Sequence, residues 1–486
     1  MANFLAYEEP SIVEILILIS FFTFLSLAET LSSIVIRAGI IGPIAVGIIY
    51  GEPLANILHA EWQETFLAIG YIGLILIIFE GGLTTRMDLL KQNFSLSFIG
   101  ATTGVIFPIG LSYLLLYLGF GFGPVETFII GAALSTTSLG TTFAVIGGAS
   151  KSIDLSQTRV GTVLVSAAVI DDVSGLVMSS VIHDLGSIQS GGNVNLGWLI
   201  GRPILASILM AAITPVLTKY ALAPFFRRFI ENRFARYDHL SNVGLMVLVL
   251  CAFISIAAYA GTSVLFGAFL AGSFLTYLPS KHPEGPFVVL TREEGEQNVD
   301  KSPTFVHTFE LYCSDVQRYL MEPLFFASIG FAIPFLDLWD GQTVWRGIVY
   351  SLLMLFAKLI VGSTIPLADL LRRNKSSPRP SITQTLSPAF LLGSAMVARG
   401  EIGLLIVQIG YNSTSYVTSA GLNIAIWAIL FNTIVGPIVV GVLIKFRGRE
   451  IAEGGWGVVT GGGGGEKEGE EGEEGRVEGQ TGGSDQ

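Results

Sequence analysis

Thirteen runs of roughly twenty mainly apolar residues follow one another along the chain, each long enough to cross a bilayer as an α-helix. They lie near 11–30, 33–50, 64–83, 94–118, 125–147, 159–182, 197–218, 242–259, 261–279, 320–336, 345–367, 384–409 and 416–445. Of all residues, 51% are hydrophobic and 13% charged, against about 25% charged in soluble domains. A chain so poor in charge cannot cover a globular surface with polar groups, which excludes a soluble enzyme. The pattern predicts an all-α polytopic membrane protein.

Loop charges test the span count. With the N-terminus outside, the inside loops and tail hold 23 of the 27 lysines and arginines, led by Lys219, Arg227, Arg228, Arg233 and Arg236. The outside loops hold Arg202 and Arg346, while Lys358 and Arg399 fall within spans. Dropping one span would scramble this asymmetry, so the sequence predicts thirteen spans with the C-terminus cytosolic. No basic segment precedes the first run, which reads as a retained span and not a signal peptide.

The net charge of −11 is concentrated at one end. From Glu450 onward there are ten acids and two bases, a net of −8, and the other 449 residues carry −3. No strongly charged partner surface follows, and no nucleic acid is expected. The tail from about residue 453, with its GGGGG and Glu/Gly alternation, is too polar to bury a core and is expected to be disordered. A polar inside loop is expected over 280–318 and a short basic one over 368–383. Cys251 and Cys313 form neither a disulfide framework nor a metal-ligand spacing.

Charges inside spans cost about 2.5–3.5 kcal/mol each on insertion scales, so they mark the chemistry. The sixth span, VGTVLVSAAVIDDVSGLVMSSVI, carries Asp171 and Asp172 near its middle. Adjacent helical carboxylates point about 100° apart, so both can flank one cavity. Their oxygens suit a hard monovalent cation or a proton. Lys358, deep in the eleventh span, lies too far from either end to reach the interface and calls for a carboxylate partner. Asp171 and Asp172 are the obvious supply.

Spans five and twelve form a second signal. Span five, GAALSTTSLGTTFAVIGG, is rich in Ser, Thr and Gly, including Thr137 and Ser138. Span twelve, LLGSAMVARGEIGLLIVQIG, holds Arg399 and Glu401 among glycines. Both read as broken helices whose freed carbonyls and half-helix ends can serve an ion, with Arg399 and Glu401 neutralising opposite ends. The two spans are seven apart and so run in opposite directions, the relation expected of inverted repeats. Glu80 closes span three and reads as a capped helix end, and Glu14 and Glu29 carry similarly weak signals.

The set AVIDD, TSLGTT, a lysine in span eleven and RGEIGL resembles the monovalent cation:proton antiporter superfamily. The similarity is greatest to the bacterial Na⁺/H⁺ antiporters with a paired-aspartate site and to the Kef-like exchangers. GTSVLFGAFLAG, PLFFASIGFAI and RAGIIGPIAVGIIYG also resemble that branch, and the likeness covers about residues 10–445. The Kef-like branch usually replaces the first aspartate, so the intact pair with its lysine favours Na⁺/H⁺ exchange.

The resemblance implies a sodium/proton antiporter fold with inverted repeats and two broken crossing helices. Residues 1–93 and 242–343 would form a dimerisation scaffold, 94–182 and 344–449 a moving core, and 183–241 a linker helix with a basic loop, leaving 450–486 as the tail. Asp172 would be the main cation and proton carboxylate. Asp171 would pair with Lys358 and share the ion, Thr137 and Ser138 would lie at the break of span five, and Arg399 and Glu401 would be structural or coupling charges. The implied function is Na⁺ (or Li⁺)/H⁺ antiport by alternating access in a homodimer within a lipid bilayer. No resident cofactor and no enzymatic activity are expected. The alternatives are a K⁺/H⁺ exchanger of the same fold and, from another class, a gated cation channel or a non-transporting receptor. A channel would need a filter such as TVGYG, which is absent.

Overall fold

In the computed structural model of the protein, the described residues are 9–85, 94–138, 158–187, 196–231, 238–278, 304–371, 382–454 and 456–457. Their architecture is helical throughout. Helix α1 (Ile12–Val35) starts at a capping box. Glu14 N–H donates to Ser11 Oγ and Ser11 N–H to Glu14 Oε2. Then follow α2 (Ile41–Tyr50), α3 (Ala60–Thr84), α4 (Phe94–Gly119, with Pro108 inside it) and α5 (Pro124–Ser135). The centre of the chain holds α6 (Arg159–Ser187), α7 (Leu196–Leu217), α8 (Asp238–Ala260) and α9 (Val264–Tyr277).

The C-terminal part holds α10 (Phe305–Tyr312), α11 (Glu322–Phe331), α12 (Gly341–Leu359) and α13 (Thr364–Leu371), then α14 (Ile382–Ala395), α15 (Glu401–Ser413) and α16 (Ser419–Glu453). Among the described residues, eight helices are long and apolar enough to cross a membrane. The expected spans two, five, nine, ten and twelve appear as the shorter apolar helices α2, α5, α9, α11 and the α14–α15 pair.

Packing sorts the helices into two groups. In the first, α3 lies against α9 and α11, α2 against α1 and α11, and α8 against α9. An aromatic cluster fills one part of it, with Phe21 stacked on Phe66 at 5.4 Å and set against Tyr50 at 5.3 Å. In the second, α4 packs on α5, α6 and α12, α15 on α5 and α6, and α16 on α12 and α14. The groups meet along a thin seam where α6 touches α9 and α15 touches α11. Outward faces are apolar, as lipid rather than water permits: Leu16 and Ile19 on α1 and Leu248 on α8 are exposed.

Two expectations need correction. Part of the segment read as a polar loop over 280–318 is helical, because Thr304 caps α10 by accepting from His307 N–H and Phe309 packs on Phe79 at 5.7 Å. The tail also begins later than expected: α16 runs to Glu453, and Trp456 is buried. Trp456 Nε1 donates to Asp369 at 3.1 Å and the Arg159 guanidinium lies 4.4 Å over its ring. The carbonyls of Trp456 and Gly457 accept from Val160 and Arg159, filling first-turn N–H groups of α6 that a helix cannot satisfy itself. The GGGGG and Glu/Gly segment lies outside the described residues, as do 148–157, 279–303 and 372–381.

Candidate functional site

Span five and span twelve both stop midway. α5 ends at Ser135, Thr136 is extended, and the chain stays non-helical through Ser138. Span twelve unwinds over Met396–Gly400, between α14 and α15. The two unwound stretches meet. Ser138 N–H donates to the Ala398 carbonyl at 2.9 Å, Thr137 Oγ1 to the Met396 carbonyl at 3.3 Å, and Arg399 Nη1 to the Thr136 carbonyl at 2.8 Å. Backbone groups released by each break are therefore taken up by the other. Gly400 makes the crossing close, since a Cβ there would stand 2.7 Å from Ser138 Cβ and Oγ.

The half-helix ends carry partial charges, and the side chains answer them. Fully buried Arg399 covers the negative C-terminal end of α5. Glu401 stands in the first turn of α15, at its positive end. The Arg399 carbonyl accepts from Thr433 Oγ1 at 2.9 Å, which fastens the break to α16.

Beside the crossing runs α6 with the two aspartates. Asp171 and Lys358 of α12 are both fully buried. Lys358 Nζ donates to Asp171 Oδ2 at 3.0 Å and to Thr137 Oγ1 at 2.9 Å, tying α12, α6 and the break of span five together. Asp172 is partly buried. The Oδ1 atoms of Asp171 and Asp172 are buried without a hydrogen-bond partner among the described residues. Glu401 lies within electrostatic reach of Asp172. Around the two aspartates, three acids and two bases share one low-dielectric volume and leave a net of −1 when all are ionised, with Glu322 of α11 facing Glu401 from the other side of the seam. A bare charge there is costly. One monovalent cation or one proton on the free carboxylate oxygens removes it.

The structure thus joins Asp171, Lys358, Thr137 and Arg399 in one network, with Asp172 adjacent, Ser138 contributing its backbone N–H, and Glu401 at the helix end. Glu80 sits elsewhere, in the first group of helices, accepting from Gln317 at 2.6 Å. The span-five residues Gly140, Thr141 and Thr142 lie outside the described residues. Sequence reading did not find buried Tyr350, which donates to Ser112 Oγ at 2.7 Å while Ser112 Oγ donates to the Pro108 carbonyl at 2.6 Å. Its signal was spacing: Tyr350 precedes Lys358 by eight residues and shares its helix face.

Comparison with known proteins gives a family and a fold. The profile of the transmembrane sodium/hydrogen exchanger family matches residues 15–446. A Na(+)/H(+) antiporter of Enterococcus hirae is 24% identical over 412 residues, covering 84% of this chain and 91% of that one. The Na(+)/H(+)-K(+) antiporter GerN of Bacillus cereus is 24% identical over 416 residues, covering 85% and 92%. Among solved structures, the sodium proton antiporter MjNhaP1 of Methanocaldococcus jannaschii shares the fold at a TM-score of 0.57 and 17% identity, over 88% of this chain and 98% of that chain.

Proposed function

The chain belongs to the sodium/hydrogen exchanger family, and from that premise we propose that it exchanges Na⁺ for H⁺ by competition at Asp172. The observation that carries this reading is the buried set of Asp171, Asp172, Glu401, Lys358 and Arg399, one negative charge short of neutrality, with free carboxylate oxygens on both aspartates. Cation and proton each neutralise the set, and both together overshoot. The site therefore crosses loaded with one or the other, and the cost of an unneutralised charge suppresses empty crossing.

Each residue has a distinct task in this scheme. Asp172 carries the ion or the proton. Asp171 joins the cation's shell through Oδ1 while Oδ2 holds Lys358. When the cation arrives, it competes with the ammonium for Asp171. If Lys358 then gives up its proton, two protons exchange per cation and transport moves charge; the cation-loaded set then carries −1, like the empty one, and differs from it in that the ion sits between the aspartates instead of leaving them bare. Arg399 and Thr137 hold the crossed breaks in place. The second group of helices moves as the core against the first, along the seam of α6 on α9 and α15 on α11. The protein works as a homodimer, N-terminus outside and C-terminus in the cytosol.

The test uses proteoliposomes with a preset pH gradient, to which Na⁺, Li⁺, K⁺ or choline is added. Gradient collapse by Na⁺ or Li⁺, lost in Asp172→Asn, is the expected result. Collapse by K⁺ alone would move the reading to a potassium exchanger. No cation-dependent collapse in folded protein would overturn it.

A further inference from the structure

Lys358 is boxed in on a third side that the ion pair does not explain. Its ammonium has three protons, and Asp171 Oδ2 and Thr137 Oγ1 take two. The third side faces the backbone of α4 at Gly104, where a Cβ would stand 3.2 Å from Nζ, with Val361 and Met396 closing the rim at 3.5 and 3.7 Å. A side chain at this position would press on the ammonium, which would have to give by a few tenths of an ångström.

The same turn of α4 contains Pro108, inside the helix. Proline has no N–H, so the Gly104 carbonyl lacks the helical donor four residues on. The residue facing the ammonium therefore has a backbone oxygen that lacks its usual helical donor. The register is fixed by a matching stripe. Gly104, Pro108 and Ser112 recur every fourth residue along α4, and Lys358, Met354 and Tyr350 recur every fourth residue back along α12. All six are buried. Tyr350 bonds Ser112 at 2.7 Å at one end of the stripe, and Lys358 meets Gly104 at the other. The two helices are therefore pinned antiparallel, and the pin sets where the ammonium lies.

We infer that Gly104 and Pro108 are positioning residues for the exchange reaction, and that the Gly104 carbonyl released by Pro108 receives the Lys358 ammonium when a cation takes Asp171. The inference rests on the reading of Lys358 and Asp171 given above. It explains how an ammonium in a dry site gives way to a cation without losing all hydrogen bonds. The lysine turns from a carboxylate to a carbonyl of the same cavity, keeping Thr137 as its second partner. A carbonyl binds the ammonium more weakly than a carboxylate does, which eases its deprotonation in the cation-bound state.

The experiment is a double-mutant cycle in proteoliposomes, reading the apparent KM for Na⁺ and the maximal rate separately. Pro108→Ala restores the N–H, recaptures the carbonyl and is well tolerated within a helix. The expected result is a rise of about tenfold in KM, the worth of a hydrogen bond to a charged group, with little change in maximal rate. Gly104→Ala is expected to raise KM at least as much. Gly100→Ala, one turn earlier, meets only ordinary contacts at 3.7 Å and serves as the unchanged control. In a Lys358→Gln background, Pro108→Ala is expected to add nothing, because its acceptor has no ammonium to receive. An equal effect of Pro108→Ala with and without Lys358, or an unchanged KM in Lys358-containing protein, would overturn the inference while leaving the antiport reading standing. An unchanged KM in Lys358→Gln alone would overturn the inference together with the reading of Lys358 as the cation's competitor for Asp171, leaving Asp172 as the carrier untouched.

Discussion

The two groups of helices solve the same problem, burial without water, in opposite ways. Around Phe21, Tyr50, Phe66 and Phe331 the first group packs ring on ring, with centroids 5.3 to 6.3 Å apart. The second group breaks two helices, crosses the breaks and gathers five charged side chains about them. The first arrangement needs little polar pairing, such as Tyr50 Oη donating to Ser20 Oγ at 2.9 Å, and gains from dispersion. The second leaves carboxylate oxygens of Asp171 and Asp172 and the Nε and Nη2 atoms of Arg399 without partners among the described residues. Unpartnered buried atoms are expensive, and fold stability has no use for them. The contrast teaches where this protein spends stability on function: in the crossing, whose charge balance closes only when an ion or proton is bound.

The contrast breaks most sharply at Asp172. Asp172→Asn is expected to abolish cation-driven gradient collapse, by at least about a hundredfold if the carboxylate is the carrier, while folded yield stays normal. A mutant that retains a tenth of the rate would move the carrier elsewhere. Phe66→Ala, in the aromatic cluster, is the counter-case. It is expected to lower stability by about 3–5 kcal/mol with the KM for Na⁺ unchanged, as read by thermal unfolding in detergent beside flux.

Lys358→Gln sharpens the comparison, because it leaves Asp171 buried and unpaired. Removing one partner of a buried pair costs about 3–5 kcal/mol, so the melting temperature should fall. Na⁺-dependent charge movement should vanish even where flux survives, and fully retained electrogenicity would remove the lysine from the coupling step. A double variant, Lys358→Gln with Asp171→Asn, should recover most of the lost stability. Arg399→Lys keeps the charge but exchanges the planar guanidinium, whose Nη1 donates to the Thr136 carbonyl, for a flexible ammonium. A tenfold loss of rate or less is expected, checked against the same flux assay. Smallest is Tyr350→Phe, which removes one hydrogen bond to Ser112 and should lower stability by about 1 kcal/mol.

Much of the site was legible in the sequence because charge inside an apolar run stands out in one dimension. Asp171, Asp172, Lys358, Arg399 and Glu401 announce themselves by the cost of placing them there, and the break of span five by a Ser/Thr/Gly run that makes a poor helix. What hid was built from residues ordinary in their setting. Gly104, Pro108 and Ser112 are unremarkable in an apolar helix, and their meaning lies in the α12 residues opposite them. Trp456 was masked by a Gly/Glu-rich neighbourhood that dominates the local composition, although its ring closes the cluster of Val160, Ile365, Leu392 and Ile444. The helix at 305–312 was lost in a polar loop because half of its buried face is polar: His307 and Thr308 lie beside Phe305 and Phe309.

Competition between cation and proton at Asp172 is the central claim, and pH-dependent kinetics test it most directly. Initial rates of Na⁺-driven proton flux in proteoliposomes, measured over a wide Na⁺ range at each of several pH values, separate KM from maximal rate. Competition for one carboxylate predicts a KM that rises about tenfold for each unit of falling pH on the acid limb, the linkage for one proton, and about a hundredfold where Lys358 releases a second, with a maximal rate that saturating Na⁺ restores. A KM that stays constant while the maximal rate falls with acidity would contradict it, placing the proton at a site separate from the cation.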